Sequence, residues 1–288
     1  MRSIVRTILV SGLCVLTACG TTAVAPLPPE EVLQRATDAI PSLVSAAFSL
    51  DAEVGGVLPG ATVSIRAKGR LQDGGQRLSL DGALRVKGGD MPLGLEGDIV
   101  VVGERDVFVR LRSMDEGPLR DAFAGLAPGG LTGVWWRVPS TQNEDAAAPE
   151  SPDPTLLRLQ ASVLRVTEDH GTATIDGAPT YHYAVDVDVD KLRTYLSEVA
   201  RSRGEAFDAE AYEKQWASTH IAGEVWIDAE TFYLRKIAWT ATPRESKASG
   251  LSGTLTATFS EHNAADPILV PEDARDLPLS LPSAFPAT

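Results

Sequence analysis

The sequence predicts an α+β fold in which one large antiparallel sheet takes up most of the chain. Three observations point to it. Runs of alternating apolar and polar residues recur between Ala61 and Phe259. Glycines punctuate the early runs at turn positions: Gly55-Gly56, Gly74-Gly75 and Gly88-Gly89-Asp90. A few short segments with helical spacing interrupt the alternation. A sheet with one apolar face needs a layer over that face, and these helices can supply it.

The chain opens "MRSIVRTILVSGLCVLTACG". Arg2 and Arg6 precede an apolar run from Ile8 to Leu16, too short to span a bilayer and shaped like a signal peptide over residues 1–18. Leu16-Thr17-Ala18-Cys19 resembles a bacterial lipobox, which implies cleavage before Cys19 and lipid attachment to its sulfur. The competing reading is an ordinary secretory signal with an incidental cysteine. On the lipobox reading the protein is extracytoplasmic and membrane-anchored, because several acyl chains at about 0.8 kcal/mol per buried CH₂ hold it at a surface. Cys14 leaves with the signal, so the mature chain has no disulfide and relies on its core. Losing residues 1–18 moves the formal charge from −13 to −15, which disfavours nucleic acid and anionic headgroups as partners.

Residues 19–29 form a short tether, and residues 30–275 form one sheet domain. "EEVLQRATDAI" after Pro28-Pro29 is helical, with Val32, Leu33, Ala36 and Ile40 on one side, and Pro41 ends or kinks it. The period changes at Leu43. "ATVSIRAKG", "RLSLDGALRVKG", the run holding Leu93, Leu95, Ile99 and Val101, and "ERDVFVRLR" then read as an antiparallel meander. "EGPLRDAFAGLA" predicts a short helix and "GVWWRVP" a strand. The polar stretch 140–154 predicts an exposed, mobile loop. "TLLRLQASVLRVTED" is ambiguous: its leucines suit a helix, but Val166 enters a strand. "PTYHYAVDVDVD" is a strand, "KLRTYLSEVARSRG" a helix, and "DAEAYEKQWAS" a second helix capped by Asp208. "HIAGEVWID", "FYLRKIAWTAT" and "GLSGTLTATFSEH" are strands, and residues 276–288 form a proline-rich tail.

The residues that could carry chemistry are few. Asp186, Asp188 and Asp190 look like the opening of a calcium loop, but its sixth and twelfth positions hold Lys191 and Ser197 instead of Gly and Glu. They read instead as the wet face of a strand, with Asp190 capping the next helix. His170, His182, His220 and His262 have no metal-ligand spacing and read as surface polar residues, although His182 could meet His220 across paired strands. No metal or cofactor is expected. No nucleophile elbow, phosphate loop or dinucleotide fingerprint is present, so the sequence does not read as an enzyme; a hydrolase with an unrecognised acid pair is the weakest alternative. Trp135, Trp136, Trp226 and Trp239 fall on strands and suit either a filled core or the wall of an apolar cavity.

"GVWWRVP", "GAPTYHYAVDVDVDKLRTYL", "GEVWIDAETFYLRKIAW" and "PILVPEDA", together with the motif at Cys19, resemble the actinobacterial LppX/LprG/LprA/LprF lipoproteins and, more distantly, LolA/LolB-type carriers. The resemblance implies a curved antiparallel β half-barrel with helices packed on its concave face and a hydrophobic cavity for lipid or glycolipid acyl chains. Strand parity then nominates Val63, Ile65, Leu80, Leu84, Leu95, Ile99, Trp135, Tyr183, Val185, Trp226, Trp239 and Leu255 as cavity lining, a set that any β-bulge would partly flip. The implied function is lipid binding or transfer at a membrane. The alternative is a structural or interaction lipoprotein of the envelope, with a filled core and a protein partner.

Overall fold

The structure is a computed structural model. It describes residues 27–277 except 57, 59, 90–91, 104–105, 116, 118–131, 139–155, 157–158, 161, 203, 214–215, 217 and 245–250. The expected signal peptide, Cys19, the helix at "EGPLRDAFAGLA", the 140–154 loop and the end of the tail lie mostly or wholly outside the described residues.

Helix α1 spans Pro29–Ala39. Pro29 sits in its first turn, where the missing N–H costs nothing, and Glu30 and Glu31 face the positive end of the helix dipole. A 3₁₀ turn at Ile40–Ser42 carries Pro41 and turns the chain into the sheet. The strands are β1 (Ser45–Gly55), β2 (Ala61–Gln72), β3 (Arg77–Gly88), β4 (Leu93–Val102), β5 (Asp106–Met114), β6 (Trp135–Val138), β7 (Leu164–Ile175), β8 (Ala178–Val187), β9 (Thr219–Asp228), β10 (Leu234–Pro243), β11 (Ser252–Ser260) and β12 (Arg275–Asp276). Between β8 and β9 come α2 (Val189–Ser202) and the single turn α3 (Ala209–Tyr212). The ambiguity around residues 155–169 resolves into both readings in turn: Leu156, Leu159, Gln160 and Ser162 are helical, and the strand starts at Leu164.

All the described strands join one open 12-stranded sheet in the order β12-β6-β5-β4-β3-β2-β1-β11-β10-β9-β8-β7. Every named pairing is antiparallel except the parallel β12–β6 contact. The two halves of the chain each form a meander, and β1 paired with β11 welds them together. The fold is thus α+β, with α1 and α2 on the apolar face of an unclosed sheet.

Direct cross-strand partners show how far that face extends. Trp239, Leu255, Ala52, Ile65, Leu84 and Leu95 lie in one row across β10, β11, β1, β2, β3 and β4. A parallel row runs Phe259, Phe48, Gly69, Leu80, Ile99, Val109 and Trp136. Glycines on this face make room for rings. A Cβ on Gly69 would lie 2.8 Å from the Phe48 ring, and one on Gly223 would lie 2.7 Å from Trp239 Cε3. Such glycines let aromatic side chains lie flat on the sheet and let it bend toward them.

The opposite face is polar and laced by cross-strand pairs, among them Arg66–Asp51, Arg112–Asp81, Arg110–Asp98 and Arg165–Asp186. Most are exposed, so each contributes at most about 1 kcal/mol. One apolar island interrupts it. Val100, Phe108 and Ile268 are buried together with Trp135 and Ala274 against them. The segment after β11 reaches this island because the Gln72 side-chain amide accepts from Ile268 N at 3.0 Å and donates to Asp266 O at 3.0 Å.

One local expectation is corrected here. The strand ends at Val187, and the helix cap is Asp188, not Asp190. Asp188 Oδ1 accepts from Lys191 N at 3.1 Å, and its carbonyl accepts from Leu192 N. Asp190 is already inside the first turn. Asp186 remains on the wet face, paired with Arg165 at 3.1 Å. Asp188→Ala is therefore expected to cost about 1 kcal/mol, and Asp190→Ala clearly less; thermal melts of the two variants check the order.

Candidate functional site

α1 lies across β8, β9 and β10 because its apolar stripe matches theirs. Val32 is fully buried among Tyr181, Tyr183, Val185, Val225 and Ile227. Burial pushes the Tyr183 hydroxyl up to about 12, so this part of the wall stays uncharged. Beside that packed core, side chains do not fill the space between sheet and helices. A cavity of about 510 Å³ remains, within the ~300–1,000 Å³ range of small-molecule sites.

Helix α1 contributes Leu33, Ala36, Thr37 and Ile40 to the wall, and α2 contributes Leu192 and Tyr195. The sheet contributes Leu71, Val225, Ile227, Leu234, Ile237, Trp239 and Phe259, and Val163 and Leu164 close one side. The polar groups are few: Thr37, Gln160, Tyr233 and His262. Thr37 Oγ1 donates to Leu33 O at 2.9 Å, so its hydroxyl is spent within the helix. His262 Nε2 donates to Leu234 O at 3.0 Å. Burial first, and then the charge of Arg235, holds His262 below the ordinary histidine range, which keeps it neutral. Such a wall can bury apolar chain, and its described residues offer no paired acid and base.

The rim is fixed by the β9–β10 turn. Asp228 accepts four hydrogen bonds there: from Glu230 N and Thr231 N on Oδ1, and from Arg235 Nε and Nη2 on Oδ2. Phe232, at φ 60°, then packs against Tyr181, while Leu234 and Tyr233 face the cavity. On the other side, α2 has no fully buried residue, so this wall is held more lightly than α1.

The twelve residues nominated from strand parity separate into four groups. Trp239 stands in the cavity wall. Tyr183 and Val185 belong to the core beneath α1, while Val63, Ile65, Leu80, Leu84, Leu95, Ile99 and Leu255 share the apolar face but lie beyond the cavity lining. Trp135 and Trp226 are on the opposite face. Trp135 pairs with Arg110, whose guanidinium lies 4.7 Å over the indole, and Trp136 takes the inward position. Trp226 stacks on His182 at 4.4 Å and lies under Lys236 Nζ. His182 thus faces Trp226 across β8–β9, not His220. The α1 and α2 residues of the wall were missed as lining, although the helical spacing of Leu33, Ala36 and Ile40 was the signal for them.

No family model and no curated protein matches the sequence. Among solved structures, the chain is similar to the lipoprotein LprF of Mycobacterium bovis, at 14% identity, with 85% of this chain and 97% of that one covered and a TM-score of 0.42. It is also similar to the lipoprotein LppX of Mycobacterium tuberculosis, at 16% identity over 84% and 97% of the two chains, with a TM-score of 0.38. A LolA-superfamily protein of Nitrosomonas europaea aligns at 9% identity over 84% and 96%, with a TM-score of 0.23. The first two belong to the group that the sequence motifs resemble.

Proposed function

We propose that this protein is an envelope lipoprotein, anchored through Cys19, that binds the acyl chains of a lipid in the cavity between its sheet and helices α1 and α2. The observation that carries the reading is the cavity itself: about 510 Å³ walled almost wholly by aliphatic and aromatic side chains. Burial is the whole mechanism. Ten methylenes at about 0.8 kcal/mol each give about 8 kcal/mol, equivalent to a micromolar Kd before ordering costs. Entry is by displacement of α2, the less deeply seated wall, which frees Leu192 and Tyr195 from the sheet. Transfer between membranes follows from reversible burial at a tethered site.

A fluorescent long-chain fatty acid tests the reading. Wild type is expected to bind it saturably, and Leu192→Trp, which fills the cavity from its least buried wall, is expected to weaken binding at least tenfold while the circular dichroism spectrum is retained. Equal binding by a folded Leu192→Trp variant would show that the probe sits elsewhere.

A further inference from the structure

We infer that His170, His182 and Glu224 form a site for a divalent transition cation of the Zn²⁺ class on the outer face of the sheet, opposite the cavity. The three residues come from neighbouring strands β7, β8 and β9. One ligand atom from each lies within 4.8 Å of the others.

A bulge in β7 creates the arrangement. Asp169 pairs with Tyr183 and Thr172 with Tyr181, so His170 and Gly171 together stand opposite His182 alone. The bulge is built in: Gly171 has φ 77°, and Asp169 Oδ1 accepts from Gly171 N at 2.7 Å. Bulges re-aim side chains. This one brings the His170 ring to 4.6 Å from that of His182, centroid to centroid.

His182 is fixed on both sides. It stacks on Trp226 at 4.4 Å, and its Nε2 is 2.8 Å from Glu224 Oε2. His170 has no comparable carboxylate contact; Glu168 lies 3.7 Å from its Nδ1. Ligands at about 2.0–2.2 Å from a tetrahedral ion stand about 3.4 Å apart. The His182–Glu224 separation of 2.8 Å need open by only about half an ångström to reach that value, and no ligand atom of the three lies more than 4.8 Å from another. Two imidazoles and one carboxylate suit Zn²⁺ better than the all-oxygen preference of Ca²⁺ or Mg²⁺, and leave one position open. Lys236 Nζ, on the same face, lies 4.4 Å from the centroid of the Trp226 ring.

The test uses the full chain, without a histidine tag, in detergent micelles, with Zn²⁺ as the only added ligand. Equilibrium dialysis is expected to show one Zn²⁺ bound per chain with micromolar affinity. The melting temperature is expected to rise with Zn²⁺, because the ion binds only the native arrangement. His170→Gln, at an exposed ring, and Glu224→Gln are each expected to weaken binding at least tenfold while circular dichroism shows a folded protein. His220→Gln, elsewhere on β9, is expected to bind as wild type. Absence of saturable binding to wild type, or wild-type affinity in folded His170→Gln and Glu224→Gln variants, overturns the site.

Discussion

Asp228→Ala is expected to destabilise the protein by about 3–5 kcal/mol, the range for removing one partner of a buried ion pair. Asp228 is 3% exposed, and the bonds its carboxylate accepts from Glu230 N, Thr231 N and Arg235 hold one turn together. Alanine leaves the N–H groups of Glu230 and Thr231 without their acceptor and strands the Arg235 guanidinium, whose side chain is only 20% exposed. Burial alone would raise the Asp228 carboxyl. The hydrogen bonds from Thr231, Arg235 and Glu230 outweigh it and hold the group below the ordinary aspartate range. A carboxylate depressed in the folded state stabilises the protein above its unfolded pKa of about 3.9, and that contribution is lost as pH falls through the folded value. Urea unfolding at pH 7 checks the magnitude. Acid unfolding checks the sign: the stability gap between wild type and Asp228→Ala should begin to narrow near pH 4 and keep narrowing as pH falls through the lower folded value.

Gly223→Ala is expected to cost about 2–3 kcal/mol, as overpacking does where backbone blocks the new atom. A Cβ at this position would lie 2.2 Å from Ala238 O and 2.7 Å from Trp239 Cε3. The first contact is with the backbone of the paired strand, so no rotamer change relieves it. The second pushes the Trp239 indole, a wall of the cavity, off the sheet. Two readouts follow: a lower urea midpoint, and a shifted tryptophan emission in the folded variant. A fully wild-type midpoint would mean that β9 and β10 are not packed as described.

Much of this was legible in the sequence because the signals were local. Alternation in Ala61–Gln72 and Arg77–Gly88 gave both strands and their inward faces, since a half-buried strand must alternate. Glu30 and Glu31 after Pro29 marked the start of α1. "HIAGEVWID" and "FYLRKIAWTAT" read as the two strands that flank the Asp228 turn. What was not legible depended on contacts distant in sequence. Nothing local says that β1 joins β11, so the cavity's place under α1, rather than along the first meander, could not be read. Trp135 and Trp226 misled for a different reason. Each is a large apolar residue on the polar row, sheltered there by a cation: Arg110 over Trp135 and Lys236 over Trp226. In β9 the set Ile221, Val225 and Ile227 already marked the inward row, and alternation was the better guide than side-chain size. The α2 cap slipped by two residues because a run of alternating Val and Asp fits both a strand and a capped helix start.

Native mass spectrometry of the protein after incubation with lipid vesicles tests most directly whether the cavity is a lipid site. Protein lacking residues 1–19, so that no anchor acyl chain confuses the mass, should carry one added lipid-sized mass, and Leu192→Trp should carry much less. A wild-type protein that stays at its bare chain mass after incubation, while folded and monodisperse, would contradict a lipid site.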